Sequence, residues 1–326
     1  MPQTSDSSQL EQSPAPRGIE EVQSEGALHR SSAEEISNDV RSSHSVCAVV
    51  VTYNPGPDLI SNLTLLSRQV EHIVIVDNGS SCEISNVQDA QEQFPCTIVR
   101  NETNLGVAAA LNKGCRIAVS EHYAWIVTFD QDSKVTEGFI QGLLSDADRI
   151  DNLGMISPRY VDQRSMRDLP LPKASPGKLL TTLTSGSMFR TLTYINSGPF
   201  NEDLFIDCVD IEYCLRLRSM GLCIAESQSA VLLHSLGKIS FHRILGRSLP
   251  TTNHSPSRRY YIARNRLYVF IRYPRERSWI CQNGLATMLD MMMILLFEKE
   301  KLAKLRFMLK GVIDCLLGRM GQQVPL

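Results

Sequence analysis

Three apolar runs constrain this chain more than anything else in it. They are Val46-Cys47-Ala48-Val49-Val50-Val51-Thr52-Tyr53-Asn54, Ile73-Val74-Ile75-Val76-Asp77-Asn78-Gly79-Ser80 and Trp125-Ile126-Val127-Thr128-Phe129-Asp130-Gln131-Asp132. Each begins as an unbroken β-prone stretch and stops at a polar tip. A strand apolar at every position, not at alternate ones, belongs to a sheet covered on both faces, which is the habit of parallel strands. Open parallel sheets bind ligands beyond the carboxyl ends of their strands. The three tips are therefore expected to line one crevice, with the paired carboxylates Asp130 and Asp132 at one of them.

The pattern from 45 to about 145 alternates strand and helix. Asp58, after Pro57, can cap a helix that carries Leu59, Leu63, Leu66 and Val70 on one face. A short strand is expected at 97–99. Asn104-Leu105-Gly106 then leads into a helix over 107–120, with Ala108, Leu111, Cys115 and Ala118 on one face. Such alternation predicts right-handed βαβ units. Beyond 150 the elements are mixed. The residues predict a short strand at 155–157, a mobile loop over 162–178, and a strand over 183–189 with Gly186 at its centre. A helix over 207–220 ended by Gly221 follows, then a strand over 230–233 that stops at His234. From 257 to 320 the chain reads as amphipathic helix, and its apolar run 285–297 is too short to cross a bilayer.

Residues 1–44 hold ten serines, eight acidic side chains against three basic ones, and no aromatic. Such a segment cannot bury enough apolar area to offset its ordering entropy and is expected to be disordered. The formal net charge of −2 provides no global attraction to nucleic acid. Nine cysteines are scattered without a CxxC pair, which excludes a zinc knuckle or a dithiol redox motif. An odd cysteine count and no recognisable signal peptide point to the cytoplasm.

Five groups carry chemistry. Asp130-x-Asp132 at a strand end suits a hard divalent cation, which takes oxygen ligands and can bridge to a diphosphate; an ordinary acidic turn has the same residues. Asp77, beside Asn78 and Gly79, is placed to accept from a nucleobase imide or a ribose hydroxyl, though Asp-Asn-Gly-Ser is also good turn chemistry. Asp207, Asp210 and Glu212 surround a helix start, where acids either complement the dipole or, for Asp210, act as a general base. His234 is either a structural histidine or an imidazole ligand beside Asp132. Seven arginines fall between 258 and 277 among Tyr and Phe, and their forks match phosphate geometry. No RNP or helix-turn-helix signature accompanies them, so nucleic acid is the least favoured partner.

In this order and spacing the residues resemble the inverting family 2 glycosyltransferases, and among them the bacterial rhamnosyltransferases of O-antigen and other surface polysaccharides. The similarity runs from Val46 to Arg272. It rests on Val51-Thr52-Tyr53-Asn54-Pro55, on Val76-Asp77-Asn78-Gly79-Ser80, and on Asn104-Leu105-Gly106 with Ala109, Leu111, Asn112 and Gly114. It rests further on Phe129-Asp130-Gln131-Asp132-Ser133, on Phe205-Ile206-Asp207 through Asp210-Ile211-Glu212, and on Tyr260-Tyr261 with Arg264-Asn265.

The resemblance implies an α/β GT-A fold, a Rossmann-like and mostly parallel sheet flanked by helices, with amphipathic helices at the C-terminus. It divides the chain into the tail 1–44, a transferase domain 45–256 (nucleotide-binding half 45–145, acceptor half 146–256) and a helical region 257–326. It assigns the nucleotide-sugar donor to Thr52, Tyr53, Asn54, Asp77, Asn78, Asn104, Gly106, Asn112, Asp130 and Arg264. Asp132 and His234 are expected to hold Mg²⁺ or Mn²⁺, and Asp210 to deprotonate the acceptor. Asp207, Glu212, Ser185 and Gly186 fall on the acceptor side. Subgroup resemblance makes the donor dTDP-β-L-rhamnose and the acceptor a glycan or lipid-linked oligosaccharide. The C-terminal helices suit peripheral contact with the inner membrane face or a homodimer surface. A nucleotidyltransferase is disfavoured because Tyr53-Asn54-Pro55-Gly56-Pro57 replaces the Gly-rich phosphate loop such enzymes need. A non-catalytic binding module is disfavoured by the joint presence of Asp132, Asp210 and His234.

Overall fold

The computed structural model describes residues 42–81, 91, 93–163, 166–169, 171–175, 177–234, 240–244 and 247–325. A ten-stranded mixed sheet organises them. Strands β1 (Val46–Thr52), β2 (His72–Asp77), β3 (Cys96–Arg100) and β4 (Trp125–Asp130) are parallel in the order β3-β2-β1-β4. The chain thus builds outward from β1 through β2 to β3, then returns to β1's other edge as β4. That reversal is the switch point at which open α/β sheets bind ligands.

Beyond β4 the sheet continues through β9 (Met188–Arg190), antiparallel to its neighbours β4 and β6 (Leu153–Asp162). The long strand β10 (Cys223–His234) then pairs parallel with β6. Short strands β5 (Lys134–Val135), β7 (Lys173–Ser175) and β8 (Lys178–Leu179) complete it, and β11 (Ser240–Ile244) with β12 (Arg247–Thr251) forms a separate hairpin.

Alternation along β1 explains the two-layer cover. Val46, Ala48 and Val50 pack into one core with Leu59, Leu63 and Leu66 of helix α1 (Leu59–Ser67), and Cys47 and Val49 into a second with Ala108, Leu111 and Cys115 of α2 (Val107–Ser120). Gly114 lets α2 sit close, because a Cβ there would lie 2.2 Å from a Val49 methyl. Helices α3 (Phe139–Ala147), α4 (Thr191–Ser197) and α5 (Val209–Ser219) follow, and then α6 (Pro256–Arg272), α7 (Arg277–Phe297) and α8 (Lys301–Leu316).

Several expectations need correction. Asp58 occupies the N-cap of α1, but its side chain makes no capping hydrogen bond. Residues 183–187 form a turn, not the start of a strand, because Gly186 takes φ +77° and its N–H donates to the Thr128 carbonyl. The described part of the expected mobile loop contains β7 and β8, and Asp162 N–H donates to the Arg167 carbonyl at 2.9 Å. Helix α5 starts at Val209, since Asp207 and Cys208 both have φ of +62°. Helix α7 is 21 residues long and apolar enough to cross a membrane by length and composition. Its apolar surface starts at Trp279 and Ile280, upstream of Gln282-Asn283-Gly284, which broke the run in the sequence. The tail 1–44 lies outside the described residues except for 42–44, where the Ser43 carbonyl accepts from the Trp125 indole at 3.2 Å.

Candidate active site

Because β1 lies between β2 and β4, their carboxyl ends stand side by side, with Thr52 in register with Asp77 and Val51 with Asp130. Side chains stitch the tips together. Gln131 accepts from the Tyr53 N–H at 2.8 Å, and Ser80 Oγ accepts from the Asn54 N–H at 2.8 Å. The Asn54 amide oxygen in turn accepts from the N–H and hydroxyl of Ser81. Asp77 is buried and takes the Ser80 hydroxyl on one oxygen, while its other oxygen lies 3.3 Å from Arg100 Nε. Beside it Thr52 is fully buried, and its Oγ1 has no partner among the described residues.

Asn78 organises the next wall. Its oxygen accepts from Asn101 Nδ2 and the Leu105 N–H, and its amide nitrogen donates to Asn104, which also accepts from the Gly106 N–H. Gly106 takes φ +89°, and a Cβ there would meet the Phe205 carbonyl oxygen at 2.5 Å. Its neighbour Val107 donates its N–H to that same carbonyl at 2.8 Å. The asparagine turn thus abuts the segment leading to Asp210.

That segment is strained: Phe205, Asp207 and Cys208 all have φ near +62°. Non-glycine residues in this region cost of order 1–3 kcal/mol each and persist only where surroundings over-determine them. Here α6 does so. The Asn265 amide nitrogen lies 2.7–2.9 Å from the carbonyls of Leu204, Ile206 and Asp207. Arg264 donates to the carbonyls of Asp203, Leu204 and Gly321.

A cavity of about 380 Å³ gathers Tyr53, Asn78, Asn104, Gly106, Asp130 and Asp132 with Phe205, Ile206 and Arg258. Burial and then the Asp132 charge push the Asp130 carboxyl up, while His234 and Arg258 pull it down. Asp210, at the start of α5, is pushed up to about 6, first by burial and then by the charges of Asp207 and Asp130. Asp130 thus feels the charges of Asp132, His234 and Arg258, and its own charge reaches Asp210 at the start of α5. Ser185, buried beneath it, accepts from the Asp130 N–H at 3.1 Å and bonds the Ser133 hydroxyl.

Other sequence-predicted residues sit elsewhere. Asn112 is fully buried in α2; it accepts from Tyr194 and the Phe200 N–H and donates to the Phe200 carbonyl and Glu202. Its hydrogen-bonding capacity is spent on the Phe200 loop, away from the crevice. Arg264 is likewise fully buried, and its nitrogens brace the strained segment instead of meeting a donor. Glu212 is buried against Arg216 at 2.8 Å and Tyr273 at 2.6 Å, and it lines a different cavity of about 990 Å³ that shares no residue with the first. Ser185 and Gly186 are buried against β4, where Ser185 accepts from the Asp130 N–H and the Gly186 N–H donates to the Thr128 carbonyl. Arg258 was the residue missed. The arginine run was visible, but Arg258 and Arg264 point to different sides of α6, and only the packing of that helix selects which meets the crevice.

A divalent cation is tested by what the donor set can offer. Among the described residues no group of three His, Cys, Asp or Glu side chains is placed to hold a metal alone. Yet His234 Nδ1 is buried without a hydrogen-bond partner among the described residues, and His234 is one of the charges that pull the Asp130 carboxyl down. Two protein ligands with open positions suit a cation completed by ligand oxygens.

Residues 47–203 match the model of Glycosyl transferase family 2. The chain is 27% identical to a dTDP-rhamnosyl transferase, RfbF, of Shigella flexneri, over 85% of this chain and 97% of that protein. It is also 27% identical to an uncharacterised glycosyltransferase, YwdF, of Bacillus subtilis, over 49% of this chain and 63% of that one. A mannosyltransferase from Pyrobaculum calidifontis, solved with GDP-Man and Mn²⁺, superposes with a TM-score of 0.54 at 16% identity over 90% of this chain and 97% of its own. GalNAc-T7, solved with UDP, GalNAc and Mn²⁺, gives 0.51 at 12% identity, covering 81% of this chain and 61% of its own. At such identities these solved structures speak for the fold alone, and that fold is GT-A-like.

Proposed function

We propose that this chain, whose residues 47–203 match the Glycosyl transferase family 2 model, moves L-rhamnose from dTDP-β-L-rhamnose to a hydroxyl of a growing, lipid-linked surface polysaccharide. The reaction is a single displacement with inversion, run on the cytoplasmic side. The observation that carries it is the cavity beyond β1, β2 and β4, where Tyr53, Asn78, Asn104, Asp130 and Asp132 meet Phe205 and Ile206 of the segment that leads to Asp210. The similarity to a dTDP-rhamnosyl transferase supports the donor.

In this reading Asp77 and Thr52 meet the pyrimidine nucleoside, and Thr52 Oγ1, which has no hydrogen-bond partner among the described residues, is free to bond it. Tyr53, Asn54, Asn78, Asn104 and Gly106 shape the nucleotide wall, and Asp130 orients the sugar or ribose. Asp132 and His234 would hold Mg²⁺ or Mn²⁺, which would supply positive charge against the diphosphate leaving group. Asp210 takes the proton of the acceptor hydroxyl as the new oxygen–carbon bond forms and the anomeric bond to the diphosphate breaks. A carboxylate raised to about 6 is a better base near neutrality than an ordinary aspartate. One base without an enzymic nucleophile implies inversion, through an oxocarbenium-like state. Arg258 joins the set by fixing Asp207, three residues before the base.

A thermal-shift panel of UDP-, dTDP- and GDP-sugars with Mg²⁺ tests the donor. The largest stabilisation is expected from dTDP-rhamnose. A larger shift with a UDP-hexose reassigns the donor, and no shift with any sugar nucleotide contradicts the reading.

A further inference from the structure

The C-terminal helices carry an apolar surface that the transferase chemistry does not use. On α7, Leu285, Met288, Leu289, Met292, Leu295 and Leu296 are exposed, with Met288 at 71% and Leu285 at 61%. Their spacing of three and four residues puts them on one stripe of the helix. Only 11% of the helix's most apolar window is buried. On α8, Leu302, Leu309, Ile313 and Leu316 form a second exposed stripe, with Leu302 at 73%. Between the two helices, above α6, lies an apolar cavity of about 480 Å³ reached by Met291 of α7 and Leu305 and Leu309 of α8. Two exposed apolar stripes on helices that share one apolar cavity mark an interaction site.

Charge identifies the partner. Between residues 275 and 309 the exposed ionic side chains are Arg275, Arg277, Lys299, Lys301 and Arg306, against the single acid Glu300, while Lys310 further along α8 pairs with Asp314. The other acids there are ion-paired: Glu276 to Arg218, Asp290 to Arg266, and Glu298 to Arg259 and Lys304. Arg275 and Arg277 stand at one end of α7, Lys299 and Lys301 just past the other. A two-fold contact between copies through this face would bring like charges together. An anionic bilayer surface accepts both the apolar stripe and its basic ends.

We propose that the α7–α8 face docks peripherally on an anionic lipid surface, with α7 lying along the interface. Spanning is disfavoured because Trp279 and Ile294 are fully buried against the domain and Asp290 pairs with Arg266 of α6 at 3.1 Å. The docking does not depend on the donor or on the base assignment.

The test is co-sedimentation of the full chain with vesicles of phosphatidylcholine alone or mixed with phosphatidylglycerol. Binding is expected to the mixed vesicles, weakened by salt. It is expected to fall by about tenfold or more in Leu285→Ser/Leu289→Ser and in Lys299→Glu/Lys301→Glu. All four side chains are exposed, so both variants should melt like the parent and keep their donor affinity. No binding to anionic vesicles, or binding undiminished in both variants, overturns the proposal. So does a dimer, seen by light scattering, that Leu285→Ser/Leu289→Ser dissociates in a chain indifferent to vesicles.

Discussion

Arg258 donates to both carboxylate oxygens of Asp207, from Nε at 3.2 Å and from Nη2 at 3.1 Å. The fork ties the first turn of α6 to a residue held at φ +62°, just ahead of the helix that presents Asp210. Lysine cannot make a planar two-pronged contact. Arg258→Lys and Arg258→Ala are therefore both expected to lower kcat/KM by about 10- to 100-fold through misplacement of the base. The pair is partly exposed, so the stability loss should stay within about 1 kcal/mol. Steady-state kinetics with urea unfolding checks this; native rates in both variants would remove Arg258 from the site.

The Asp210 carboxyl sits at about 6, above its ordinary 3.8, because burial and neighbouring acids disfavour its charge. A base must be deprotonated, so kcat/KM is expected to fall about tenfold per pH unit below that value. Stability runs the other way. The folded state binds this proton more tightly than the unfolded chain, so its contribution is favourable at low pH and is lost as pH rises through about 6. Asp210→Asn should accordingly melt higher than the parent at pH 7. A pH–rate profile flat down to 5, or a lower melting temperature for the variant, contradicts the assignment.

Gly106 abuts Phe205 so closely that a methyl group would meet both its carbonyl oxygen and its ring, at a φ of +89°. Gly106→Ala should cost about 2–4 kcal/mol and loosen the crevice wall. Chemical denaturation gives the first quantity and calorimetric donor titration the second. A variant as stable as the parent would mean that Phe205 is free to yield.

Glu298 is buried between Arg259 and Lys304, each at 2.7 Å. Hydrogen bonding by Lys304 and the charges of both cations outweigh burial and hold its carboxyl below the usual range. Glu298→Gln leaves two buried cations without their anion and should destabilise the helical region by about 3–5 kcal/mol. A depressed carboxyl adds stability above its unfolded value, here lost as pH falls through and below 4.5. Urea midpoints of parent and variant should converge as pH drops; a constant gap argues against the triad.

The parts of the fold and site that could be read directly were those set by local periodicity. Continuous apolar runs placed β1, β2 and β4, and apolar spacing placed α2 over 107–120, where it lies. Their polar tips share the crevice because parallel strands order their ends alike. What escaped was long-range. Gly186 looked like part of a strand, yet the hydrogen bond from its N–H to the Thr128 carbonyl selects a left-handed turn. Arg264 looked like a phosphate ligand, yet the strained loop before Asp210 claims it as a brace. Asn112 sits among small residues in α2, and only the arrival of the Phe200 loop explains its burial. Polar residues read alike in sequence whether they face a ligand or cap another segment's backbone.

Asp210→Asn gives the most direct test. With the parent and this variant compared under saturating dTDP-rhamnose and Mg²⁺, isothermal calorimetry should return matching donor affinities, while turnover to acceptor should drop by roughly 10²–10⁴-fold. Native turnover by the asparagine variant would show that the acceptor proton leaves by another route, and the account of this crevice as the transfer centre would fall with it.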